Sequence, residues 1–190
     1  MASNCGISGG YSFDCNDKVK AIGGIKNTFW IGNLEDIDRT YGTDGFNISG
    51  AGFVTDIKFK YQKGLYEFGG VRLGNSNTDD AARNEGGIPN FPVSIAFKMY
   101  DNAPDDALIV EQLANADALF AIQQTSSGDF KIFGSALGLN LASAPRASGT
   151  QPTDDSSRLV TLSGVEPKLP RYFFKTSQSI TLALIQSYVL

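Results

Sequence analysis

The chain has 190 residues, 42% apolar and 19% charged, the composition of a folded protein with enough length for one core. A net charge of −4 and a pI of about 4.8 argue against a surface that grips nucleic acid, which needs clustered Lys and Arg. The absence of histidine removes the usual general base, the usual activator of a nucleophile and the commonest metal ligand.

Residues 1–24 are rich in Gly and Ser and read as an N-terminal arm entering a single β domain at 25–190. Met1–Gly10 has neither a basic n-region nor an apolar h-region, so no signal peptide is expected. No apolar run approaches the roughly 20 residues of a membrane span, and synthesis and residence in a cytoplasm are expected unless the chain is exported without a signal. Cys5 and Cys15 are the only cysteines. Without histidine they make a poor zinc site, and free thiols or a late disulfide both remain open.

Ile25–Ile31 is aromatic and β-branched and predicts a first strand, stopped by Gly32-Asn33. Residues 34–50 read as a loop. Phe53–Gln62 alternates with period 2, and Lys63-Gly64 predicts a turn into a partner strand, Leu65–Leu73. Residues 74–90 form a long polar loop of the kind that is usually functional. Phe91–Met99 alternates again and predicts another strand.

A single helix is expected next. Asn102 suits the N-cap, Pro104 the first turn, and Asp105-Asp106 the positive end of the dipole; Ala107, Ile109, Val110, Leu113 and Ala114 make an apolar stripe. Strands at 118–124 and 129–134 flank the turn Ser126-Ser127-Gly128-Asp129. Gly138–Ala142 begins a further strand, 143–156 is a second loop, and 158–163 is a short strand. Ile180–Leu190 is apolar on both faces and predicts a terminal strand, central in a sheet or docked in a neighbouring subunit.

No catalytic, cofactor-binding or metal-ligating residue is expected. The pairs Asp79-Asp80, Asp105-Asp106 and Asp154-Asp155 read as loop solvation and helix capping, and the 77–85 spacing matches no EF-hand. Gly23-Gly24, Gly69-Gly70 and Gly86-Gly87 lie in no phosphate-binding frame. Phe29, Trp30, Phe53, Phe59, Tyr61, Tyr66 and Phe68 read as core packing rather than a stacking platform.

The element order, with Cys15, Gly23-Gly24-Ile25-Lys26, Asp106–Leu113 through Phe133-Gly134, Gly138–Leu141 and Thr161–Pro167, resembles the tail tube proteins of long-tailed bacteriophages, particularly those infecting Bacteroidetes. The resemblance covers most of residues 20–190. It implies a mainly β protein: a β-sandwich or partly closed barrel of antiparallel strands, flanked by one α-helix. It further implies a non-enzymatic structural subunit, made in the host cytoplasm and located in the virion tail. Six copies would form a ring around a lumen for DNA, and rings would stack. Partners would be other copies of the chain and other tail and neck proteins, with DNA only in transit and no membrane. Family lumens are often acidic. Strands 53–62 and 65–73 are then candidates for the inner barrel, with Asp56 and Glu67 towards the lumen, although Lys58 and Lys60 share the face of Asp56. The 74–90 loop and the arm are candidates for ring-to-ring contacts. Alternatives are a capsid decoration or head-completion protein and a carbohydrate-binding β-sandwich; loops nearly free of aromatics weigh against the last.

Overall fold

The computed structural model describes residues 25–40, 45–69, 74–83, 88–100, 104–147 and 156–190. The arm at 1–24, Cys5, Cys15, Asn102, Asp154-Asp155, Gly23-Gly24, Gly70 and Gly86-Gly87 lie outside these residues.

Two sheets face each other. The large sheet contains β1 (Ile25–Asn33), β2 (Phe46–Ile48), β3 (Val54–Ile57), β4 (Tyr66–Gly69), β8 (Leu119–Thr125), β9 (Phe130–Phe133) and β13 (Arg171–Phe173), in the order β2-β3-β13-β9-β8-β1-β4. The small sheet contains β5 (Ser76–Asp79), β7 (Pro89–Tyr100), β10 (Asn140–Ser143) and β12 (Ser157–Glu166), in the order β10-β12-β7-β5. Short strands β6 (Ala82–Arg83) and β11 (Arg146–Ala147) pair with β7 and β12. Among these strands every pair is antiparallel except β13 with β3. The fold is a β-sandwich and not a closed barrel.

The large sheet is covered on both faces, and its central strand records this. Leu119–Gln124 of β8 is buried without interruption. Leu119 and Ala121 pack with Phe29, Ile95, Phe97, Val160 and Leu162 between the sheets. Phe120 and Ile122 point the other way, into a second core with Trp30, Phe130, Ile132 and Phe173.

Among the described residues there are two α-helices, not one. The expected helix is α1 (Pro104–Asn115); Leu113 is buried in the inter-sheet core, with Ile109 and Val110 packed against it. The second, α2 (Gln178–Ser187), replaces the expected terminal strand. Ser177 caps it: its Oγ accepts from the N–H of Ile180 at 3.3 Å. Thr181 donates to the Ser177 carbonyl at 2.7 Å and accepts from the Lys175 N–H at 3.0 Å. Ile185 is fully buried, and α2 roofs the second core. The run buries Thr181 and Ile185 and leaves Ile180 exposed, and as a capped helix it presents no open strand edge.

The expected hairpin between 53–62 and 65–73 does not form. β3 pairs with β2 and β13, whereas β4 pairs with β1. The Lys63-Gly64 region turns the chain between different parts of the same sheet. Gly64 allows the Tyr188 carbonyl to approach where a Cβ would stand. Leu65 N–H donates to that carbonyl at 2.8 Å, and Leu190 N–H donates to Leu65 O at 3.1 Å. The β8–β9 hairpin does form, with Gly128 at φ 99° in its turn.

Candidate assembly surface

The long strands β7 and β12 alternate strictly. Val93, Ile95 and Phe97 are buried, as are Val160 and Leu162, with Leu162 opposite Ile95 and Val160 opposite Phe97. The intervening positions point away from the core. Register aligns them in rungs across four strands. One rung is Ser76, Ala96, Thr161 and Ser143; the next is Thr78, Ser94, Ser163 and Asn140. Thr78 and Ser94 hydroxyls lie 2.7 Å apart. Lys98 is the only charge at the outward positions of β5, β7, β10 and β12, and its Nζ lies 5.9 Å from the Tyr100 ring centroid. The middle of the face is small and hydroxylic, exposed Leu159, Val165 and Tyr100 flank it, and the whole is nearly neutral.

Lys98 apart, the charges of these four strands are on the inner side of the small sheet. Along β5, Asn75 donates to the Lys26 and Asn27 carbonyls at 3.1 Å, Asn77 to Gln123 Oε1 at 3.0 Å, and Asp79 meets Lys131 at 3.5 Å. These contacts touch β1, β8 and β9 in turn, so β5 crosses the strands below it. A strand with no apolar residue is thereby pinned at the sheet edge. Glu166, 4% exposed, accepts from the N–H groups of Ala136 and Leu137 at 3.0 Å and Gly138 at 3.3 Å. It organises the turn between β9 and β10.

The small sheet contains the two longest strands, β7 and β12, whereas β3 and β4 are short and do not pair with each other. The carboxylate of Asp56 accepts from the Tyr188 hydroxyl, which ties β3 to the end of α2. Glu67 accepts from Trp30 Nε1 at 3.2 Å. The Lys60 ammonium donates to the Glu35 carbonyl. The expected loop at 74–90 contains β5 and β6 instead. Asp79 is in the ion pair described, Asp80 accepts from the Ala81 N–H at 2.7 Å, and Asp106 lies in the first turn of α1. Among the described residues no group of three or more Cys, Asp or Glu could hold a metal, and no helix is long and apolar enough to cross a membrane. Lys63 bonds the buried Asp36 at 3.1 Å, and that bond holds its ammonium above the usual lysine range.

The aromatics divide. Phe29 and Trp30 are core, and Phe59 and Phe68 pack against it. Tyr61 and Tyr66 are exposed, and Phe53 joins an exposed cluster with Tyr172 and Phe174 that period-2 reasoning did not indicate. The signal available was the aromatic run Tyr172-Phe173-Phe174, in which only the middle ring can turn to the core.

No family model, curated protein or solved structure matches this chain.

Proposed function

We propose that the chain is a structural subunit of a bacteriophage tail tube, assembled as stacked rings of six copies around a lumen for DNA. The observation that carries this reading is the small sheet. Its four strands are antiparallel throughout, so its two edges, β5 and β10, run in opposite directions. The β10 edge of one copy can thus meet the β5 edge of the next as one more antiparallel pair. Closing such a head-to-tail array leaves no free edge.

In that ring the outward face of the small sheet becomes the inner wall. Two rungs of Ser, Thr, Ala and Asn, with Lys98 as the one charge, give DNA phosphates little to hold. Without clustered cations there is no counterion release to retain the DNA. Near neutrality thus serves passage as an acidic lining would. The large sheet and both helices buttress the wall from the other side. The role requires no catalytic group and no cofactor. It places the protein in the virion tail after synthesis in the host cytoplasm, with other tail and neck proteins at the tube ends.

Native mass spectrometry tests the reading. A discrete ring-sized oligomer is expected as concentration rises. A species that stays at 20.3 kDa at every concentration, with tail partners added, would overturn it.

A further inference from the structure

The large sheet extends beyond the small one at β13 and β3, and three aromatic rings stand there in the open. Tyr172 and Phe174 project from one face of the β13 segment, while Phe173 between them is buried. Phe53, just before β3, lies 6.4 Å from each ring, at 76° to Tyr172 and 65° to Phe174. Phe53, Tyr172 and Phe174 are 38%, 43% and 39% exposed. They line an open cleft of about 300 Å³ whose polar members are Asp129 and Gln178. Gln178 Nε2 donates to Asp129 Oδ1 and to the Ser127 carbonyl, both at 3.4 Å. Bonds this long are weak, so the amide can exchange partners at little cost.

We infer that this cleft binds a saccharide of one or two rings. A second copy of the chain is a poor occupant, because three half-exposed rings fall far short of the roughly 800 Å² per partner of a stable interface. The volume matches the small end of ligand sites, at about 300 Å³. A wholly apolar ligand would strip water from the Asp129 carboxylate and the Gln178 amide without replacing it. A phosphorylated ligand would face that carboxylate, and the nearby Lys131 ammonium is shared between Asp79 at 3.5 Å and the Tyr172 ring, 5.4 Å from its centroid. A sugar ring fits both halves of the cleft. Its C–H face lies on the aromatic rings, and its hydroxyl edge meets one acceptor and one amide that both donates and accepts. The cleft belongs to the large sheet and not to the β5 and β10 edges, so its occupancy is independent of ring closure. A ring of about 12 non-hydrogen atoms at drug-like efficiency gives a Kd on the order of millimolar.

Saturation-transfer NMR on the full chain tests this with maltose, cellobiose and di-N-acetylchitobiose as probes. At least one is expected to receive transfer, strongest at its ring C–H protons. Tyr172→Ala and Phe53→Ala should each weaken binding about tenfold. Tyr61→Ala, at a ring 88% exposed and outside the cleft, should leave it unchanged. Phe53→Leu keeps apolar bulk and guards against loss of folding; it should weaken binding as well. No transfer to any of the three sugars, or transfer undiminished by Phe53→Leu, would overturn the inference. So would self-association abolished by these same variants, because the cleft would then belong to a second copy.

Discussion

Tyr188 shows how single side chains hold the end of this chain. Its hydroxyl donates to Asp56 and accepts from the Ile57 N–H at 3.3 Å, joining residues 132 and 131 positions apart. Tyr188→Phe keeps the ring against Phe59 and removes only the hydroxyl. It should cost about 1–2 kcal/mol, read as a lower urea midpoint with an unchanged slope. Glu166→Gln leaves one acceptor oxygen for three N–H groups and removes the charge that strengthens those bonds. A loss of about 2 kcal/mol is expected in the same measurement. At Asp38 the side-chain bond from Thr40, followed by its backbone N–H, holds the carboxyl below the usual carboxylate range. The stabilisation this brings is present above the unfolded-state pKa and is lost as pH falls through the folded one. Thr40→Val should move the Asp38 titration upward, seen by NMR of the carboxyl carbon.

Among the elements, α2 has the largest structural consequence. Ile185 fills the core beneath it, and Ile185→Ala should cost about 2–5 kcal/mol in thermal or urea unfolding. Removing residues 178–190 uncovers the face holding Trp30, Phe130 and Ile132 and should yield a chain that binds hydrophobic dye and does not fold. A folded, soluble truncation would contradict the roof role of α2. Its helical state is hard to read because Ile180–Ile185 is apolar all round and contains β-branched residues, so periods of 2 and 3.6 fit equally. The Ser177 cap was the legible clue. By contrast α1 is legible from Pro104, its acids and its stripe, and β8–β9 from a local turn. β5 is illegible because Ser76–Asp79 has no apolar alternation and is held by side-chain hydrogen bonds from the other sheet. β3 buries Val54 and Ile57, three apart beside a register shift, so the period-2 reading of 53–62 fails there; the partners of β3 and β4 lie far along the chain, and local pattern cannot choose among distant edges.

At the scale of the whole molecule, the proposed tube rests on the sheet edges. The resemblance implied the ring and made residues 53–73 candidates for its wall; on the proposed reading β5, β7, β12 and β10 form that wall, nearly neutral where family lumens are often acidic. Of two consecutive residues on an antiparallel edge, one directs its N–H outward. Asn77→Pro and Thr78→Pro therefore differ: one spares the internal ladder and removes an outer donor, and that variant should stay folded yet fail to form rings. The most direct test of the tube is negative-stain electron microscopy of the concentrated protein beside these two variants. The account predicts rings or stacked tubes with a central hole for the unaltered chain, and their loss in the folded proline variant. Dispersed single particles from the unaltered chain, or tubes that persist with either edge proline, would contradict it.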